Sequence, residues 1–203
     1  MNPSLAQEIL ARLQSAPQVG LALHRHPDAD SMGAAAAMGE FLKARKIPCF
    51  YFCATPLPPE AAFFNLPEPD HKISDRLFCG RAAGETWCTF DAGDLKHAGL
   101  DFITPPAPPL NLRGGWGGVT PFLIVFDHHA TNTYFGHLNV VDASCASTTE
   151  VIYDFFRAVR WPIPARVASF LMAGLINDTD YFSNPAVSSS ALQMAGELLE
   201  RGV

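Results

Sequence analysis

Residues 19–45 read VGLALHRHPDADSMGAAAAMGEFLKAR, and this stretch decides the fold class. Val19 to Leu23 is a short apolar run of strand length, and Ser31 to Arg45 is a longer proline-free stretch rich in small helix formers. A strand feeding directly into a helix is the repeating half of a βαβ unit. Pro27 stands in the joint, where its fixed φ suits a tight turn and its missing N–H would break either neighbouring element. Asp28 and Asp30 alternate across that joint, so on an extended turn they point to different sides. A plainer reading of the same residues makes Asp30 the N-cap of the Ser31 helix.

Working outward, the alternation continues. Leu5 to Leu13 reads as an entry helix, and Ile47 to Phe52, Glu85 to Phe90 and Pro121 to Phe126 as further strands. Ser147 with Glu150 three positions on forms a capping box, which predicts a helix to about Arg160, before Trp161 and Pro162. Ala165 to Ile176 and Ser188 to Arg201 read as the last helices, the second closed by Gly202. Ala54 to Asp70 carries five prolines and is expected to be turn-rich, with at most one helical turn. Thr104 to Gly118, with four prolines and four glycines, is expected to be a surface loop. The class that follows is α/β, a mostly parallel sheet flanked by helices, and 203 residues with 48% hydrophobic content suit one domain spanning 1–203.

Composition narrows the function classes. The formal charge of −6 argues against a broad electrostatic surface for nucleic acid, so a polyanionic ligand would need bound cations or a few placed Arg and Lys side chains. Arg25, Lys43, Arg45 and Lys46 are the nearest to a basic cluster, and the last three read as a solvated helix end. Cys49, Cys53, Cys79, Cys88 and Cys145 form no CxxC pair and are expected to be reduced, mostly buried thiols. The sequence has no apolar run of membrane-spanning length, and residues 1–17 lack a signal-peptide pattern, so a cytoplasmic location is expected.

In open α/β sheets the ligand crevice lies at the carboxyl ends of the strands. His24, Asp28 and Asp30 follow the first strand, Asp91 follows the Glu85 strand, Asp127, His128 and His129 follow the Pro121 strand, and Asp178 follows the Ala165 helix. So many carboxylates in one crevice could not all stay ionised without counter-charge. Divalent cations resolve the conflict, and mixed carboxylate and imidazole ligands suit Mn²⁺ best, with Mg²⁺, Co²⁺ or Fe²⁺ as alternatives. Four aspartates and two histidines exceed the needs of one open metal and suit two, about 3.5 to 4 Å apart. Each segment alone is ambiguous, but four in order on the right kind of element are not.

The segments HRHPDADSMG (24–33), FDAGD (90–94), FDHHAT (126–131) and GLINDTDYF (174–182) resemble the four motifs of the DHH phosphoesterases. The likeness runs from about Leu21 to Gly202, and ASCASTTE (143–150) is similar to the family's helix start after the third motif. The resemblance implies that His24, Asp28 and Asp91 hold one metal and that Asp30, Asp91, His128 and Asp178 hold the other, with Asp91 bridging. It implies further that His129 faces the scissile phosphate as general acid or phosphate donor, with Asp127 behind it orienting an imidazole or the turn. His26 is a candidate substrate contact, whereas Asp94, His97, His137 and Asp142 read as structural. Asp180 stands where the family usually shows glycine.

A phosphodiesterase acting on short oligonucleotides, linear dinucleotides or 3′-phosphoadenosine phosphate is the function so implied. A pyrophosphatase or polyphosphatase would use the same metals on a smaller anion, and a non-catalytic metal- or nucleotide-binding module is the alternative from another class. The expected partner is a short nucleotide or oligonucleotide substrate and no membrane, with a homodimer left open. Members of the family usually carry a second, substrate-gripping C-terminal domain after a linker, and by the resemblance 1–203 is the catalytic domain alone.

Overall fold

The structure, a computed structural model, describes residues 1–69, 85–101, 103, 121–185 and 187–203. Cys79 and the Thr104 to Gly118 loop lie outside them. In chain order the elements are α1 (Pro3–Ser15), β1 (Val19–Leu23), α2 (Ala29–Ala44), β2 (Cys49–Phe52), α3 (Ala61–Phe64), β3 (Thr86–Phe90), β4 (Phe122–Asp127), β5 (Leu138–Val141), α4 (Thr148–Ala158), α5 (Ala165–Asp178) and α6 (Ser189–Leu199). The strands form one sheet in the order β2-β1-β3-β4-β5, every pair parallel. The α/β reading holds, with β5 added: at four residues, of which Val140 alone is buried, it was too short to show a period in the sequence.

β1 and β3 are buried along their whole length, as central strands covered on both faces must be. Register levels their ends: Leu23 pairs with Phe90, and Phe90 with Phe126, so His24, Asp91 and Asp127 leave three adjacent strands side by side. The chain turns from β1 outward to β2 and then back past β1 to β3. Their carboxyl ends therefore flank the point where strand order reverses, which is where such sheets open a crevice.

One face of the sheet packs against α1, α2, α4 and α5 through the larger core, which includes Leu21, Leu23, Phe41, Phe126, Phe155 and Leu171. The smaller core on the other side gathers Ala22, Trp87, Leu100, Val125 and Phe135. Helices α2 and α5 lie unusually close. A Cβ on Gly33 would stand 2.5 Å from the Phe170 carbonyl oxygen, and one on Gly174 would stand 2.7 Å from Asp30 Oδ1. The small-residue character of α2 is thus the means by which a backbone approaches the site from below.

Two local expectations change. Asp28, rather than Asp30, is the N-cap of α2, its side chain accepting from the Asp30 and Ser31 amides, and the helix starts at Ala29. Proline at position 27 favours the extended conformation before the cap, which leaves Asp30 inside the first turn. The capping box at Ser147 is half formed: Ser147 accepts from the Glu150 amide, but the Glu150 carboxylate takes the Ala146 amide and the Ser190 hydroxyl. Cys49, Cys88 and Cys145 are free thiols, and the buried Cys53 thiol donates to the His24 carbonyl at 3.6 Å. No helix among the described residues is long and apolar enough to cross a membrane.

Candidate metal centre

Six of the side chains singled out in the sequence meet at the β1/β3 crevice in two overlapping sets. His24, Asp28 and Asp91 form one, and Asp30, Asp91, His128 and Asp178 the other; within each set the donor atoms lie within 4.8 Å of one another. Asp91 belongs to both. Its Oδ2 lies 3.3 Å from His24 Nε2 and its Oδ1 3.5 Å from His128 Nε2, so its two oxygens look toward different sets. Asp91 takes this aim from a backbone φ of 57° directly after β3, a left-handed conformation uncommon outside glycine. His24 Nε2 lies 3.6 Å from Asp28 Oδ1, and His128 Nε2 lies 3.1 Å from Asp178 Oδ2.

Local bonds fix which atom each ring offers. His24 Nδ1 is 2.8 Å from the Arg25 carbonyl, which accepts only, so Nδ1 carries the hydrogen and Nε2 is the ring atom turned toward the aspartates. A divalent cation prefers such a donor set of carboxylate oxygens and imidazole nitrogens. Ser31 lies beneath, its hydroxyl 3.3 Å from the His24 amide and 3.5 Å from the Phe90 carbonyl, which ties the ends of β1 and β3 together.

Asp30 is fully buried, yet both its oxygens are paired: Oδ2 accepts from the Thr148 amide at 2.6 Å and Oδ1 from the Thr149 amide at 2.9 Å. Those amides open α4, where helix N–H groups have no partner inside the helix and the dipole favours negative charge. The Thr148 hydroxyl also donates to Asp91 Oδ1 at 3.2 Å. The ASTTE segment therefore braces two of the clustered aspartates.

The electrostatics are those of a site short of positive charge. Burial opposes ionisation of Asp30, and the neighbouring Asp91 and Asp178 charges add to it, so its carboxyl is raised well above the usual range. Burial also opposes the charged forms of His24 and His128, but hydrogen bonds to the surrounding carboxylates outweigh it and lift them to about 10 and about 11. Asp91, although desolvated, is held below the usual range by His128 and His24. The acidic ligands draw protons onto the imidazoles because carboxylates in so small a volume need cations.

His129 adjoins both sets: its Nδ1 lies 3.5 Å from Asp91 Oδ1, and Asp91, His128 and His129 form a third group of close donor atoms. The same Nδ1 is 2.8 Å from Asp127 Oδ1, and this hydrogen bond raises the imidazole against the opposing effect of burial. His26 is exposed, with φ 56° and its amide donating to the Thr55 hydroxyl. Asp94, Asp142 and His137 serve local backbone: they accept from the amides of His97, Ser144 and Leu123 respectively. The His97 ring, by contrast, packs on His24 at 4.7 Å between centroids. Sequence reasoning set His97 aside because it stands seven residues beyond the strand end at Phe90; the turn at 91–97 folds it back. Thr148 and Asn132 were missed for a similar reason, since their hydrogen bonds to the clustered aspartates cross between elements.

No family model matches the chain. It is 28% identical over 199 residues to the bifunctional oligoribonuclease and PAP phosphatase NrnA of Thermus thermophilus, which covers 98% of this chain and 54% of that protein. To the probable enzyme of the same name from Streptococcus mutans it is 25% identical over 197 residues, 95% of this chain and 55% of that one. The chain thus spans just over half the length of the curated relatives it matches. Among solved structures, an exopolyphosphatase-related protein from Bacteroides fragilis superposes with a TM-score of 0.75 at 16% identity, over 100% of this chain and 58% of that one, a likeness of fold. The likeness to the curated NrnA proteins extends over nearly the whole chain, including the four short motifs read from the sequence.

Proposed function

We propose that this chain, a relative of the NrnA phosphoesterases, is the metal-dependent catalytic part of a phosphodiesterase acting on short oligonucleotides, linear dinucleotides or 3′-phosphoadenosine phosphate. The observation that carries the reading is the pair of ligand sets sharing Asp91 at the switch point of the sheet. His24, Asp28 and Asp91 would hold one divalent ion and Asp30, Asp91, His128 and Asp178 the other, with Mn²⁺ as the ion and Mg²⁺ or Co²⁺ as substitutes. When bound, two such ions acidify a water and neutralise phosphoryl charge.

The protein's own part is orientation. Asp91 aims one oxygen at each set, and the α4 amides keep Asp30 from turning. His129, its Nδ1 held by Asp127, presents Nε2 to the phosphoryl group and hands a proton to the departing ester oxygen. Asp127 keeps that imidazole in one tautomer. His26, on the exposed rim, is a candidate contact for the substrate beyond the reacting phosphate. The second, substrate-gripping half of such an enzyme would follow this domain, and a cytoplasmic location and homodimeric assembly suit the reading.

The test is to supply Mn²⁺ with pApA, pGpG, a five-residue RNA, 3′-phosphoadenosine phosphate and pyrophosphate, beside Asp91→Ala. Hydrolysis of a nucleotide ester that needs Mn²⁺ and disappears in Asp91→Ala is the expected result. Phosphate released from pyrophosphate alone would replace the reading with a pyrophosphatase. Metal binding with no hydrolysis of any member would leave a binding module.

A further inference from the structure

Asn132 lies five residues beyond Asp127, only 6% exposed, in the loop after β4. Every polar atom of its side chain is engaged. Nδ2 donates to Asp127 Oδ2 at 2.6 Å and to the Ala92 carbonyl at 3.0 Å, while Oδ1 accepts from the Tyr134 amide at 2.6 Å. Asp127 itself is fully buried, and its other oxygen takes the His128 amide at 2.9 Å and His129 Nδ1 at 2.8 Å. A buried carboxylate with donors on both oxygens cannot rotate without losing one of them.

We propose that Asn132 is a positioning residue for His129, acting through Asp127. The inference rests on the phosphodiesterase reading. Asp127 Oδ1 already accepts from the His128 amide and Oδ2 from Asn132, so His129 Nδ1 is the donor in this bond, and Nε2 is the ring atom left to carry and release the proton for the leaving group. Asn132 holds Asp127 Oδ2 and thereby keeps Oδ1 aimed at the ring. The same amide grips the carbonyl of Ala92, next to bridging Asp91, so one side chain links the residue shared by both ligand sets to the residue that meets the leaving group. An asparagine serving only as a loop cap would need the Tyr134 bond and neither of the others.

The experiment compares two substrates in Mn²⁺: pApA, whose departing ribose oxygen needs a proton, and the p-nitrophenyl ester of thymidine 5′-phosphate, whose departing phenolate does not. Asn132→Ala and Asn132→Ser are measured beside His129→Ala and the Asn132→Ala/His129→Ala pair. The expected result is a kcat loss of about 10- to 100-fold on pApA, a much smaller loss on the aryl ester, and KM and Mn²⁺ affinity near wild type. Asn132→Ala should add nothing in the His129→Ala background, because the two lie on one chain of contacts. Equal losses on both substrates, a multiplied loss in the double variant or weakened Mn²⁺ binding would overturn the proposal. A readout independent of turnover is the ¹⁵N signature of the His129 ring: a single Nδ1–H tautomer in the wild type should become a mixture in either Asn132 variant, and an unchanged signature refutes the idea. Cleavage of neither ester by wild type would count against the phosphodiesterase reading alone, and the tautomer would still decide the role of Asn132.

Discussion

Asp30 and Asp28 are two residues apart in one turn, yet they belong to opposite walls of the crevice. Asp30 is sealed beneath it, both oxygens bonded to the first amides of α4 and its back against Gly174. Asp28 caps α2 at the open side with 43% of its side chain exposed, as is that of His129. The inner wall is preorganised by backbone dipoles that cannot turn away, whereas the rim is made of side chains that a ligand can reach and displace. A site that must hold charge firmly and still admit a polyanion needs both.

The comparison breaks most visibly at the inner wall. Asp30→Ala strands two buried amides and removes a member of one ligand set, so it should cost about 1 to 3 kcal/mol of stability and abolish Mn²⁺-dependent hydrolysis, checked by denaturant unfolding and turnover. Gly174→Ala pushes a methyl group against Asp30 and Thr149. A loss of about 1 to 3 kcal/mol is expected from such overpacking, together with weaker Mn²⁺ binding by calorimetry. At the rim, Asp28→Ala should cost only about 1 kcal/mol, the worth of a helix N-cap, and weaken metal binding while leaving the Asp30 set able to bind.

A pH measurement sharpens the contrast without mutation. In the metal-free chain His24 and His128 are raised to about 10 and about 11 by their carboxylate partners. Their contribution to stability is fully present below the unfolded value of about 6.5 and is lost as pH rises through the folded values. Coordination requires neutral rings, so Mn²⁺ binding near pH 7.5 should release protons and tighten as pH rises. Calorimetry in buffers of different ionisation enthalpy reads this directly. The smallest effect lies outside both walls. Asp180, Tyr181 and Phe182 all have positive φ, and Asp180→Gly should gain about 1 kcal/mol by relieving the left-handed conformation, with metal affinity unchanged.

Much of this was legible in the chain itself, because strands buried on both faces must be continuously apolar and polar residues at their ends must then converge. Val19 to Leu23 and Pro121 to Phe126 announced themselves this way, the Glu85 to Phe90 strand did so despite its buried Thr86 and Thr89, and so did the histidines and aspartates that follow them. β5 did not, since four residues carry too little pattern, and the N-cap moved from Asp30 to Asp28 because the conformation after Pro27 chooses between two equally suitable carboxylates.

Residue types and their order along the chain thus determined the fold class and gathered the candidate ligands at one end of the sheet. Only the tertiary structure decided how each group is held. That Thr148 and Thr149 clamp Asp30, that Asn132 grips the Ala92 carbonyl and that His97 folds back onto His24 are contacts between residues 40 to 119 apart along the chain. No local pattern encodes them, because a hydrogen bond between distant segments depends on where packing and register leave their backbones, and not on the identity of the neighbouring residues.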